Sequence, residues 1–211
     1  MKLKSKWQGI RRNPENGFRG AKVWGRKWRF EVWAFAAFVA ACSALSALAQ
    51  INGPSEYQVK AAFLFHFAQF VEWPAEAFKD GSSPLVYCTV GDDPFHGALD
   101  ARLNGKTIGA RAIRVEHFKR ADAMQGCQVV FLGMAEQKQM SAALANMRGN
   151  PVLTVGESEH FAQEGGMIGF CLEENKVRFE INLNAATQAK LKISARLLTL
   201  AKMVIGGPKG T

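Results

Sequence analysis

The sequence predicts an α/β protein, a three-layer sandwich with a mostly parallel central sheet and an antiparallel C-terminal hairpin at its edge. Three observations carry that expectation. Short apolar runs at 85–90, 127–132 and 152–155 alternate with segments of helical period, the pattern of strands covered by helices on both faces. The runs at 167–172 and 177–183 are joined only by Glu173-Glu174-Asn175-Lys176, which suits a hairpin and is too short for a parallel crossover. Residues 56–73 read as a helix laid on a sheet: Val59, Phe63, Leu64, Phe67, Ala68, Phe70 and Val71 share a broad apolar face, opposite Gln58, His66, Gln69 and Glu72.

Taken in order, the chain begins with a leader. Of 27 Lys+Arg and 18 Asp+Glu, residues 1–49 hold ten basic and two acidic residues, which leaves 17 basic against 16 acidic beyond them. The basic pI therefore describes the leader, and a nucleic-acid partner loses its support. Residues 32–48 are apolar and end in Ala47-Leu48-Ala49 before Gln50. A basic stretch, an apolar core and a small-x-small end are the parts of a secretory signal peptide. An uncleaved anchor is the competing reading, but a core of about 15 residues is short for a span that needs about 20. The expected division is a signal peptide over 1–49, a short linker at 50–54, one domain over 55–205 and a flexible tail at 206–211. The long basic region also suggests a translation start downstream of Met1.

Ser55 caps the helix, and Pro74 stops it after Trp73. Phe65 departs from the pattern by falling on the polar side, where with Trp73 it is a candidate contact for a partner or a second copy. After the strand at 85–90 comes the loop Gly91-Asp92-Asp93-Pro94-Phe95, then a short helix over 95–103 with Asp92 or Asp93 as its cap. A weakly alternating strand at 107–115, a polar partly helical stretch at 118–124, and a helix at 135–147 ending at Gly149 follow. Asn184 caps a last long helix over 185–204 with Leu191, Ala195 and Leu198 inward. On it Lys190, Lys192, Arg196 and Lys202 form a basic face, either solvated or a contact for an acidic partner or membrane headgroups.

An exported domain of about 160 residues is large enough for one core, and its cysteines meet an oxidising compartment. Cys88 lies in the first sheet strand and Cys127 opens the third; in a doubly wound sheet these strands are neighbours, so the two can be bridged or remain buried thiols. Cys171 is left over. Asp92, Asp93 and His96 stand at the carboxyl end of a strand, where such folds bind ligands, and are the candidate cleft of a solute-binding or sensor module. The four histidines lack metal spacing, and there is no phosphate loop, GxSxG or HExxH, so neither cofactor nor catalysis is expected.

Several ordered segments resemble a known family: Lys60-Ala61-Ala62-Phe63-Leu64, Phe70-Val71-Glu72-Trp73-Pro74, Cys88 to Phe95, Gly126 to Leu132, Pro151 to Val155, Gly165 to Phe170, Val177 to Asn182, and Leu191 onward. This is the YfiR-like periplasmic family. The resemblance implies an α/β fold, a periplasmic location and a regulatory role. In the namesake system the protein restrains an inner-membrane diguanylate cyclase by binding its periplasmic part, and an outer-membrane lipoprotein sequesters it. The resemblance also implies that Cys88 and Cys127 pair. Cys171, where an aliphatic residue is usual, and Lys190, where Gly is common, depart from the pattern.

Overall fold

A computed structural model describes residues 54–133 and 137–207; the leader and its cleavage point lie outside these residues. Helix α1 (Glu56–Gln69) opens with a capping box, Ser55 Oγ accepting from Gln58 N while the Gln58 side chain accepts from Ser55 N. The helix stops four residues earlier than Pro74 requires. Phe70 caps it, and Val71–Glu72 becomes strand β1, paired antiparallel with the short strand β9 (Lys192–Ile193).

The remaining strands form one eight-stranded sheet: β2 (Leu85–Gly91), β3 (Thr107–Ile108), β4 (Arg111–Phe118), β5 (Val129–Gly133), β6 (Leu153–Gly156), β7 (Ile168–Glu173), β8 (Lys176–Asn182) and β10 (Met203–Ile205), in the order β10-β8-β7-β6-β5-β2-β4-β3. β4, β2, β5, β6 and β7 run parallel, and β7–β8 is the antiparallel hairpin, so the expected architecture holds. Its turn is tighter than 173–176: Glu173 pairs Lys176, and Glu174 and Asn175 take left-handed φ values of 48° and 62°, the two-residue turn that matches strand twist. β10 adds a short parallel edge outside β8. The stretch expected as one strand at 107–115 is instead the β3–β4 hairpin, turned at Gly109.

The central strands β2, β5 and β6 are buried on both faces, which explains their unbroken apolar runs. Leu85 and Tyr87 of β2, Val129 and Phe131 of β5, and Leu153 and Val155 of β6 face α1 and α2 (Ala98–Leu103). Val86, Cys88, Val90, Val130 and Leu132 face α3 (Gln137–Met147) through Met140, Ala143, Leu144 and Met147. These are the three layers.

The C-terminal segment overturns the long helix. Asn182, not Asn184, caps α4 (Leu183–Gln188), its side chain accepting from Ala185 N at 3.0 Å. Lys190 then enters the left-handed region at φ 58°, with its N–H on Thr187 O and Leu191 N on Ala186 O. That is a Schellman stop, with lysine in the place that usually takes glycine and Leu191 buried behind it. After β9, Ser194 caps the single turn α5 (Ala195–Leu198). Leu191 is buried as expected and Leu198 half-buried, but Ala195 is exposed. Among the described residues no helix is long and apolar enough to cross a membrane.

Candidate partner-binding surface

The parallel strands end on one side of the sheet in packing. Asp92 and His96 are exposed there, and Asp93 Oδ1 accepts from Phe95 N at 3.0 Å, closing a turn rather than capping the helix. The residue before α2 is Gly97, at φ 83°, with no side-chain cap. Between those carboxylates Phe95 is buried, its ring edge-on to Phe131 at 4.8 Å and to Tyr57 at 5.6 Å. A Cβ at Gly133 would strike the Asp92 carbonyl. The crevice between β2 and β5, where this fold leaves room for a ligand, is thus filled by protein.

Beside that plug stands a lysine the sequence reading passed over. Lys60 is only 4% exposed, yet its ammonium meets Glu157 Oε2 at 2.5 Å and also Glu56. Tyr57 donates to the other Glu157 oxygen at 3.2 Å and offers its ring to the ammonium at 4.6 Å. Burial pulls the lysine pKa down, but the hydrogen bonds to Glu157 and Glu56 outweigh it and hold the pKa above its ordinary value. The cluster clasps the start of α1 to the loop after β6. The helical pattern shows only its i,i+4 partner Glu56; Glu157, which clasps it to the rest of the fold, stands 97 residues away.

At the opposite, amino end of the strands the structure joins residues that lie far apart in sequence. Cys88 and Cys127 are bridged, with Cα atoms 6.0 Å apart, and both lie in the core under α3. Strand order is as the doubly wound reading requires, β2 and β5 being neighbours with β4 outside. The residue after the bridge, Gln128, is 5% exposed and fully engaged. Its side-chain oxygen accepts from Val86 N at 2.9 Å, and its amide donates to Ala77 O at 2.7 Å. Its carbonyl accepts from the indole Nε1 of Trp73 at 3.3 Å. Gln128 therefore ties the disulfide to the 73–77 segment.

That segment carries the candidate contact residues. The β1–β9 pair, extended by Ser194 N donating to Phe70 O at 2.9 Å, sets the chain around Trp73 against the chain from Lys190 to Arg196. Lys190 Nζ bonds Glu76 Oε1 at 2.9 Å, holding that carboxyl below its ordinary pKa. The Arg196 guanidinium lies 5.6 Å from the Phe70 ring centroid, and Lys192 is exposed on β9. Lys192 thus lies on the ladder itself and Trp73, Lys190 and Arg196 on the chain flanking it, although no helix face unites the basic residues. Below it opens a cavity of about 420 Å³ lined by Glu76, Ala77, Cys127 and Gln128 among others. Phe65 does not join this surface. It is half-buried against the core, with Lys106 Nζ 5.5 Å from its ring, so it is not the free aromatic that the helical pattern implied.

Two groups stand apart. His117 bridges β2, β4 and α2, its Nδ1 at 2.7 Å from Thr89 Oγ1 and its Nε2 at 3.2 Å from Asp100 Oδ2. With Thr89 2% exposed, the hydroxyl is out of substrate's reach and the trio is a structural tie. Cys171 is a free, half-buried thiol, its pKa pushed up by burial and then by Glu180.

A family model described as YfiR/HmsC-like matches residues 57–202, which span the disulfide, the β1–β9 ladder and both ends of the sheet. The chain belongs to the YfiR/HmsC-like family. The family is one of periplasmic regulators in cyclic-di-GMP signalling. Among solved structures, one of a conserved domain protein from Vibrio cholerae O1 biovar eltor is similar at 10% identity and TM-score 0.46, covering 71% of this chain and 60% of that one. An ABC domain from Streptococcus pneumonia, in complex with L-Trp, is similar at 7% identity and TM-score 0.41, covering 62% and 58%. The chain spans about 60% of the length of these two structures.

Proposed function

We propose that this YfiR/HmsC-like protein is a non-catalytic regulator, which restrains a membrane-bound diguanylate cyclase by binding its periplasmic part. The observation that carries the reading is the family match over 57–202. The surface formed by Trp73, Lys190, Lys192 and Arg196 supports a contact mode, because it combines a half-buried aromatic with cations on a backbone that the β1–β9 pair holds in place. On this reading residues 1–49 direct export and are removed near Ala49, the mature domain begins after a short linker, and an outer-membrane lipoprotein or a second copy competes for the same face. Gln128 makes that face depend on the disulfide, since bridge and Trp73 share one residue's backbone and side chain.

The test is capture from detergent-solubilised membranes of the producing cell with the C-terminally tagged full chain. A retained diguanylate cyclase, lost with Trp73→Ala and Lys192→Glu together, is the expected result. A cyclase-free eluate from the wild-type protein overturns the proposal. Mass spectrometry of the same eluate reads the N-terminus, and an intact Met1 overturns export by cleavage.

A further inference from the structure

Away from both regions a cavity of about 390 Å³ opens between the end of α3, the Gln163–Gly165 turn and the α4–β10 corner. Leu144, Met147 and Met167 are buried beneath it and form an apolar patch of its floor, beside Thr154 and Asn182, whose side chains are bonded within the fold. Its rim carries Arg148, Asn184 and Gln188, whose side chains make no hydrogen bond or ion pair among the described residues. Arg148 is the single ionisable group of the lining, which contains no carboxylate. Its guanidinium folds back toward Gly165, where a Cβ would lie 3.9 Å from Nη2. Gly165 sits at φ 103°, a conformation closed to side chains, which keeps that wall bare. The negative end of α3 is muted here, because Asn150 N and Nδ2 take up the carbonyls of Met147 and Asn146.

An apolar patch on the floor, polar rim groups without hydrogen bonds and one unpaired cation make up a small-ligand site, at the small end of the usual range of about 300–1,000 Å³. We infer that this cavity binds a short aliphatic carboxylate, its tail on Leu144 and Met167 and its carboxylate on the Arg148 guanidinium, with the Asn184 and Gln188 amides beside it. Such a ligand would bring a small-molecule input to the protein. The inference is independent of the identity of the partner, so a failed capture of the cyclase leaves it standing.

Sodium hexanoate is the probe, titrated calorimetrically into the full chain, with hexanol and hexylammonium chloride as neutral and cationic controls of equal tail. Saturable binding of hexanoate is expected, with neither control binding comparably. Arg148→Gln should weaken hexanoate at least about tenfold, the loss of one charge-assisted contact. Because Arg148 is exposed, its melting temperature without ligand should match wild type. Absence of hexanoate binding to the wild-type chain, equal affinity in Arg148→Gln, or equal binding of hexylammonium each overturns the site.

Discussion

The two ends of the parallel sheet solve the same problem differently. The carboxyl end, where doubly wound folds ordinarily hold ligands, is closed non-covalently: Phe95 plugs the crevice and a buried lysine neutralises two glutamates. The amino end is closed by a covalent bridge and a hydrogen-bonded glutamine, and it carries charge outward on a two-stranded ladder. The lesson is that topology alone does not say which end works. The carboxyl end is filled by its own side chains, whereas the amino end keeps its cations exposed on the surface even where they are paired.

The largest expected effect breaks the amino end. Cys88→Ala or Cys127→Ala opens a bridge with 39 residues of sequence separation, and loss of a native disulfide in such a domain costs about 2–5 kcal/mol. Against a total near 5–15 kcal/mol, denaturant titration should show a clear fall in midpoint, and the exported protein should be scarcer in cells. Cys171→Ala should change stability by less than about 1 kcal/mol, because a half-buried unpaired thiol packs like a small apolar group. A Cys171 effect as large as the other two would remove the disulfide from its place at the head of this ranking.

The carboxyl end should yield next. Lys60→Met leaves Glu157 and Glu56 without their cation. Removing one partner of a fully buried pair costs about 3–5 kcal/mol, but the two carboxylates are 27% and 39% exposed and water reaches them, so about 1–3 kcal/mol is expected. Adding Glu157→Leu should recover much of that loss. The pH dependence follows from the raised lysine pKa: the stabilisation is complete below the unfolded lysine value and is lost only as pH rises through the folded one. Stability curves of wild type and Lys60→Met should therefore run parallel across neutral pH and converge in strong alkali. A difference that persists undiminished into strong alkali would show that the lysine charge does not carry the energy.

Much of this was legible in the sequence, and the reasons are local. β2, β5 and β6 announce themselves because strands buried on both faces are unbroken apolar runs, and Ser55 with Gln58 spells out the start of α1. The bridge was within reach because strand order follows from topology. The 183–205 segment was not legible: Leu191 and Leu198 fit a helical period, and nothing in the letter Lys at 190 reveals a left-handed backbone. β1 and β9, two residues each, are too short to show any period. Gln128 acts through partners far along the chain and carries no local signal, and Lys60 shows only the i,i+4 pair with Glu56, which reads as an ordinary surface pair without Glu157. The contact surface therefore became visible only as a union of two separately suspected segments.

A smaller effect probes the tie between bridge and surface. Trp73→Phe keeps most of the ring's packing and removes the indole N–H bond to Gln128 O. One such bond is worth about 0.5–1.5 kcal/mol, and a melting-temperature drop of that size should come with faster hydrogen exchange across 71–77. An unchanged exchange pattern would show that the β1–β9 pair and the Gln128 amide on Ala77 O hold the 71–77 segment without the indole bond.

The smallest expected change in stability is at Lys190, and it separates fold from contact. The residue holds φ 58°, a conformation that costs a side-chain-bearing residue about 1–2 kcal/mol, and glycine adopts it freely. Its ion pair with Glu76 is solvent-exposed, so no measurable stability is lost with it. Lys190→Gly relieves the backbone strain while gaining chain entropy in the unfolded state, and should be at least as stable as wild type. Lys190→Ala loses the same pair but keeps the strain, so it should be the less stable of the two by about 1 kcal/mol. Both remove the ammonium that pairs with Glu76, and both should reduce capture of the membrane partner to a similar extent. Measured together by thermal melts and by capture, the two variants decide whether charge or stability drives association. Capture that follows the melting temperature, high for glycine and low for alanine, would mean that the amino-end surface matters only as part of the fold.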